Sequence, residues 1–136
     1  MRLHPFTQVD DLRFTASPDE VRARWGRPVR EGRNAVELDE LDFGHIVCRF
    51  QASGRLEEIT VRAPVLHLDK VSVPFASLAA FVRGHDPQAF ERAGFLISPA
   101  LGLAFVPTEP DWVTALARHC LPQWRALDAA ANSGKT

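Results

Sequence analysis

A complete set of helix start and stop signals stands near the N-terminus of the chain. Ser17 is followed by a proline at the first helical position and by Glu20 three residues later, which is the pattern of a capping box. Gly26 then offers a residue that tolerates a left-handed backbone, and a proline follows two residues after it. The pattern predicts a helix of about two turns over residues 18–25. The alternating residues 12–14 predict a short strand before it.

Two β-rich runs follow after a charged segment. Residues 27–34 are rich in charge and contain a glycine, so we predict a loop there. Residues 45–50 and 56–62 are separated by a polar connection with Gly54, and we expect them to pair as an antiparallel hairpin. Residues 65–73 alternate again and predict one further strand. In the second run the buried set stays open between two alternating groups: Leu56, Glu58, Thr60 and Arg62, or Glu57, Ile59 and Val61.

The same order of elements then occurs a second time. Phe75, Leu78 and Val82 fall at helical spacing before Gly84, and two further β-rich runs, residues 94–97 and 101–106, form a second hairpin candidate. The sequence therefore predicts an α+β fold. We expect an antiparallel sheet built from two strand-helix-hairpin halves, with the short helices packed on one face.

The C-terminal part supports two interpretations. Trp112, Leu116 and Cys120 lie four residues apart, as in a helix capped by Thr108, while residues 112–116 also read as a closing strand. A last short helix is predicted over residues 124–131.

Composition limits both the size and the class of the protein. The 136 residues are 46% hydrophobic, and 16 Lys and Arg face 17 Asp and Glu, which is typical of one soluble domain. We assign residues 1–128 to this domain and residues 129–136 to a flexible tail. The balanced charge excludes the basic surface of a nonspecific nucleic-acid binder. Because no segment resembles a signal peptide or a membrane-spanning helix, we expect a cytoplasmic protein without nucleic-acid or membrane partners.

No motif for catalysis stands out. The five histidines are spread singly, without the spacing of metal ligands, and no nucleophile elbow or phosphate loop occurs. His85 and Asp86 precede a proline, and Asp86 is best explained as a turn or cap residue. Cys48 and Cys120 stand among apolar neighbours, as free buried thiols do. We therefore expect no enzyme activity, no cofactor and no metal.

A run of carboxylates is the clearest candidate for a contact surface. It is either a solvated loop or sheet edge, or an acidic surface that docks a basic partner. A basic stretch, residues 22–33, precedes it, so the small net charge of −1 hides two opposed local patches. Two tryptophans are possible anchors of an interface. The candidate partner-binding residues are Glu37, Asp39, Glu40, Asp42, Trp112 and Trp124.

Residues 14–28 resemble a Phe-Gly-Met-Ser-x-x-Glu-Val-Arg-x-x-Leu-Gly-x-Pro segment. This segment opens many small bacterial proteins of a poorly characterised family, whose helix-then-hairpin units are similar to SmpA/OmlA-like and β-lactamase-inhibitor-like domains. A Ser-Gly-Arg turn at residues 53–55 and the motifs Gly-Phe at 94–95 and Leu-Gly-Leu at 101–103 also resemble the family. Thr15 and Ala16 depart from its usual Gly-Met. The family closes with a strand, and this favours a strand over residues 112–116.

Proteins with this resemblance accompany secreted or contact-dependent bacterial toxins, including those of type VI secretion, as immunity proteins. The resemblance therefore implies a non-enzymatic binding protein that neutralises a cognate toxin by occluding it, as a monomer or weak homodimer. Two alternatives stay open. One is a small-ligand-binding or enzymatic domain that uses the concave face of the sheet, and the other is a secretion-apparatus adaptor.

Overall fold

The computed structural model describes residues 1–126, and it contains three short α-helices among many strands. The predicted N-terminal helix is confirmed as α1, Pro18–Trp25, and its capping box is present in both directions between Ser17 and Glu20. The second predicted helix is confirmed as α2, Phe75–His85, which extends one residue past Gly84. The third, α3, is Leu121–Arg125 and follows a 3-10 turn, Arg118–Cys120. The predicted tail and the end of the helix predicted over 124–131 lie outside the described residues.

The strands form two sheets, not one. The smaller sheet has the order β3-β2-β1-β8-β9, and the larger has the order β10-β11-β12-β13-β7-β6-β5-β4. The strands are β1 Arg2–His4, β2 Gln8–Val9, β3 Leu12–Arg13, β4 Arg30–Arg33, β5 Asp39–Asp42, β6 Ile46–Phe50, β7 Leu56–Arg62, β8 Val65–Leu68, β9 Val71–Pro74, β10 Phe90–Arg92, β11 Phe95–Ser98, β12 Leu103–Phe105 and β13 Trp112–Leu116. The α+β class is confirmed. The expectation of one antiparallel sheet is wrong, because β1 pairs in parallel with β8 in a separate sheet.

The main hydrophobic core covers one face of the larger sheet, which we call the core face. It joins Ile59 and Ala115 of the larger sheet to Leu66 of the smaller sheet, and it includes Val21 of α1 and Leu78 of α2. All five side chains are buried. Burial of such apolar surface is the principal favourable term in folding, so the smaller sheet and two helices are held to the larger sheet by this core.

A second apolar cluster covers part of the opposite face, the outer face. Leu116 belongs to this cluster whereas its neighbour Ala115 belongs to the main core, and successive residues of a strand point to opposite faces. Leu121 and Trp124 of the α3 helix pack against the second cluster. The expectation that the short helices share one face is therefore wrong, since α1 and α2 pack into the core on one side and α3 packs on the other.

Two local predictions are also wrong. Residues 27–34 are not only a loop, because β4 pairs with β5 along its whole length and places Arg30 opposite Asp42 and Arg33 opposite Asp39. Opposite charges across a strand pair offset the poor β propensity of this charged segment. Residues 65–73 are not one strand but a hairpin of β8 and β9, turned at Asp69 with φ +46°. Aspartate tolerates a positive φ, so the turn forms without a glycine that would indicate it in the sequence.

Three further predictions are confirmed. The first hairpin forms between β6 and β7, and the second forms between β11 and β12. The segment with two interpretations is a strand, β13, which joins β12 to β7 and so links the two hairpins in one sheet. Of the helices described in residues 1–126, none is long and apolar enough to cross a membrane.

Candidate functional site

A groove of about 800 Å³ opens on the outer face of the larger sheet. Three segments enclose it: the β4–β5 turn at residues 34–38, the start of the β6–β7 turn at Gln51, and helix α3 with Trp124. The α3 helix covers only part of the outer face, and the strands beside it carry polar side chains there. We call this feature the outer-face groove.

The floor of the groove is a row of three charged side chains on neighbouring strands. Glu40, Arg49 and Glu58 are register partners on β5, β6 and β7. Arg49 Nε donates to Glu40 Oε2 at 2.7 Å, and Arg49 Nη1 approaches Glu58 Oε1 at 3.4 Å. The guanidinium therefore lies between two carboxylates, and the floor has one more negative charge than positive charges.

Burial governs the electrostatics of Glu58. Its side chain is only 13% exposed, and this desolvation raises the pKa of the carboxyl above its usual value of 4.5. The charge of Arg49 and a hydrogen bond from Trp124 act in the opposite direction but do not cancel the effect of burial. Burial thus favours the protonated form of Glu58, while Arg49 and the Trp124 indole favour its ionised form.

Arg49 also connects the floor to a polar contact deeper in the sheet. Its Nη1 donates to Thr60 Oγ1 at 2.7 Å, and the hydroxyls of Thr60 and Thr114 lie 2.7 Å apart. Both threonines are buried, and they are register partners on β7 and β13. The hydrogen bonds of Arg49 Nε and Nη1 to Glu40 and Thr60 together hold the guanidinium at the floor of the groove.

Trp124 forms the wall of the groove on the side of α3. Its indole Nε1 donates to Glu58 Oε2 at 3.2 Å, and its ring meets Phe95 of β11 edge to face at 5.1 Å. The ring therefore packs on the second apolar cluster while its polar edge faces the charged floor.

A buried carboxylate on the bulge of β7 holds the segment that leads into α3. Glu57 is fully buried and accepts hydrogen bonds from Gln51 Nε2 at 3.2 Å and Arg55 Nε at 3.3 Å. Its Oε2 also contacts Nε2 of His119 in the 3-10 turn, and its backbone carbonyl accepts from the amide of Ala117. These contacts tie the turn to the sheet and so set the position of Trp124.

The acidic run and the basic stretch neutralise each other instead of forming two opposed patches. Asp42 pairs with Arg30 at 3.0 Å, and Asp39 pairs with Arg33 at 3.3 Å, both across the β4–β5 hairpin. A hydrogen bond from the Gly44 amide, together with Arg30, lowers the pKa of Asp42 in spite of its partial burial. The interpretation of separate acidic and basic patches is therefore wrong, because hairpin pairing brings the two stretches side by side.

The six candidate residues are divided between places. Glu37, at the hairpin tip and 84% exposed, lines the groove together with Glu40 and Trp124. Asp39 and Asp42 lie along the hairpin in ion pairs, and neither is among the groove-lining residues. Trp112 lies at the other end of β13, with the Arg62 guanidinium 5.2 Å from the centre of its ring. The structure thus brings three of the six together.

Sequence reasoning missed Arg49 and Glu58 as floor residues. The signal was present, because the hairpin prediction pairs the two strands and Glu58 alternates with Thr60 on one face. The sequence does not decide which of the two alternating groups in residues 56–62 faces the core. A bulge near Phe50 and Leu56 settles it: Leu56 joins Ile59 in the main core, and Glu58 points to the outer face.

The two cysteines of the chain are both buried free thiols. Burial raises the pKa of the Cys48 thiol to about 12 and raises that of Cys120 further, so neither is a thiolate nucleophile at neutral pH. Within residues 1–126 no group of three or more His, Cys, Asp or Glu side chains is placed to hold a metal ion.

Comparison of the chain with protein-family models, with curated proteins and with solved structures gives no match.

Proposed function

We propose that the chain is a non-enzymatic binding protein and that the outer-face groove is its partner-binding surface. The observation that carries this proposal is the meeting of Glu37, Glu40 and Trp124 in one groove, since Trp124 is far from the other two in sequence. Tryptophan and arginine, present here as Trp124 and Arg49, are enriched in protein interfaces, in which a few anchors supply most of the binding energy.

Preorganisation of the groove supports the same proposal. Arg49 is held by Glu40 and Thr60, and Trp124 is held by Glu58 and Phe95. A partner that docks here does not have to order these side chains, which lowers the entropic cost of association. A contact of standard size, about 800 Å² per partner, covers the groove together with its exposed rim at Val36 and Glu37.

In its specific form, the proposal is a cytoplasmic immunity protein that occludes a cognate toxin. The support is the resemblance of residues 14–28 to the segment found in such proteins, together with the groove. An occluding inhibitor needs a rigid complementary surface and no catalytic group of its own.

The test is co-expression of this chain with each neighbouring open reading frame under separate control. We expect one of them to be toxic alone and harmless with this chain, and the two products to purify as a stable complex. Glu37→Lys and Trp124→Ala should each weaken the complex and the protection. Glu109→Lys changes an exposed acid that does not line the groove and should leave both unchanged. Absence of protection by every pairing would refute the immunity function.

A small-ligand site is the second candidate, favoured by one observation. The volume of the groove, about 800 Å³, lies within the range of ligand pockets, about 300–1,000 Å³. Thermal unfolding in the presence of a metabolite panel separates the two candidates. A compound that stabilises the wild type but not Trp124→Ala, in the absence of any protection, would favour the ligand site. A partner that forms a complex without protection would favour an adaptor.

A further inference from the structure

Strand β4 forms one end of the larger sheet and carries an unusual amount of exposed surface. Its neighbour on one side is β5, and the order of the described strands places none on its other side. All four residues, Arg30–Arg33, are exposed. Val29, immediately before the strand, is 67% exposed, and Val36, in the turn after it, is 61% exposed. Two of the three large apolar side chains exposed in the described chain thus flank this edge.

The phase of the β4–β5 ladder shows which backbone groups face the open edge. The amide of Asn34 donates to the carbonyl of Leu38, which makes these two residues a hydrogen-bonded pair. Because hydrogen-bonded and open pairs alternate along an antiparallel ladder, Gly32 and Arg30 also bond toward β5. The N–H and C=O groups of Glu31 and Arg33 therefore point away from the sheet.

We propose that this edge pairs with the β4 edge of a second copy of the chain, antiparallel and centred on Gly32. In this register Glu31 of each copy lies opposite Arg33 of the other, and their outward N–H and C=O groups bond reciprocally. Glu31 and Arg33 can form this pair only if the backbone N–H and C=O groups of both residues point to the open edge. The β4–β5 ladder places them in this way. The contact is isologous, because each copy offers the same surface to the other.

The charges of the strand fit this register on both sides of the symmetry axis. Two Glu31–Arg33 pairs form across the junction, one on each side of the symmetry axis. These opposite charges attract, whereas like charges directly opposite each other would repel. Glu31 also contacts Arg22, and Arg33 contacts Asp39, so each new pair extends an existing cluster of alternating charge.

Other registers fit less well. Pairing centred between Glu31 and Gly32 would place Arg30 opposite Arg33, and two such arginine pairs would repel. It would also set Glu31, whose backbone faces outward, against Gly32, whose backbone faces β5. Charge and backbone phase thus both favour the alignment centred on Gly32 over this one.

The size of the contact makes the dimer weak. One four-residue strand and its flanking residues from each copy bury less than about 1,200 Å², which is the range of transient interfaces. We expect monomer at micromolar concentration and a growing fraction of dimer toward the millimolar range. The contact uses strand β4 and not the floor of the outer-face groove or Trp124, so the proposal does not depend on the proposed function.

The test is sedimentation equilibrium of the full chain from about 10 µM to about 1 mM, a range that covers weak association. For the wild type, the average mass should rise from 15.1 kDa toward twice that value. Glu31→Arg and Arg33→Glu should each lower the association constant about tenfold, because each places like charges opposite one another at two points. Glu91→Arg on β10, at the other end of the sheet, breaks an exposed ion pair with Arg83 and is the matched control.

Mixing the two single variants in equal amounts gives the decisive result. In the mixed dimer the introduced arginine of one variant faces the introduced glutamate of the other. The unchanged Glu31 and Arg33 also face each other, so both pairs are attractive again. We expect association within about threefold of the wild type, and the same for the double variant Glu31→Arg with Arg33→Glu.

Circular dichroism confirms the fold of each variant before association is compared. Three results would overturn the proposal: a wild type that is monomeric throughout, single variants that associate like the wild type, or a mixture no better than its components.

Discussion

Replacing Arg49 by methionine removes the one positive charge between Glu40 and Glu58 while keeping an unbranched side chain to pack. Removal of one partner from a buried ion pair costs about 3–5 kcal/mol, because the other charge stays buried without compensation. The side chains of Arg49 and Glu58 keep 20% and 13% of their exposure, so water screens part of this cost. We expect Arg49→Met to lower the free energy of unfolding by about 2–3 kcal/mol at pH 7.5.

The loss should depend on pH with a definite sign. The pKa of Glu58 is already raised in the folded state, so the folded protein holds this proton more tightly than the unfolded chain does. The destabilisation that comes from burying the ionised Glu58 is absent below 4.5, the pKa of this carboxyl in the unfolded chain. It grows as the pH rises through the pKa of the folded state. Loss of Arg49 raises this pKa further. The free energy of unfolding of Arg49→Met should therefore be within about 1 kcal/mol of the wild-type value near pH 4 and should become lower than it toward pH 7.5.

Urea unfolding at both pH values, followed by circular dichroism, measures these differences. Glu58→Gln in the Arg49→Met background is the control, because it removes the unpaired charge while keeping the shape. The double variant should regain at least about 1 kcal/mol relative to Arg49→Met at pH 7.5. A loss for Arg49→Met that is equal at both pH values, or a double variant no more stable than the single one, would refute the electrostatic reasoning.

Two further predictions concern a turn glycine and a buried carboxylate that do not line the outer-face groove. Gly102 has φ +64°, and a Cβ there would lie 2.8 Å from Phe6 Cε1, so Gly102→Ala should cost about 2–4 kcal/mol in thermal unfolding. Gly54→Ala has φ +90° but no contact closer than 3.7 Å and should cost less; equal losses would contradict the steric argument. Burial opposes ionisation of Asp86, but hydrogen bonds from the Ser98 hydroxyl at 2.6 Å and from two backbone amides hold its pKa below 3.8. Asp86→Asn should therefore lose about 2 kcal/mol at pH 7 and progressively less as pH falls below about 4, and a pH-independent loss would count against this.

Sequence patterns predicted correctly the elements that depend on residues close together in the chain. The capping box bounds α1 within a few residues, and the glycine-containing connection before β7 marks the first hairpin. They failed at β4, whose charged residues form a strand only because β5 supplies opposite charges from nearby in the chain. They failed again at Asp69, where a two-residue turn depends on a backbone conformation that aspartate tolerates but does not signal by itself.

The candidate site shows the same division. The carboxylates and tryptophans were visible as residues, but their ion pairs were not. Arg33 and Arg30 neutralise Asp39 and Asp42 because hairpin register places them opposite each other. The position of Trp124 depends on α3 crossing the outer face.

The sequence by itself determined the short-range features: the capped helix, the β-rich runs, the α+β class and the absence of any recognisable catalytic motif. These follow from periodicity, capping and turn chemistry, which act over a few residues. Only the tertiary structure decided that there are two sheets, that the acidic and basic stretches neutralise each other, and that Arg49, Glu58 and Trp124 share one groove. Trp124 and Glu58 are 66 positions apart in the chain, and their contact exists only when β13 joins the two hairpins and the buried Glu57 draws the 3-10 turn onto the sheet. Such contacts depend on the burial of surfaces distant in sequence, which no local pattern encodes.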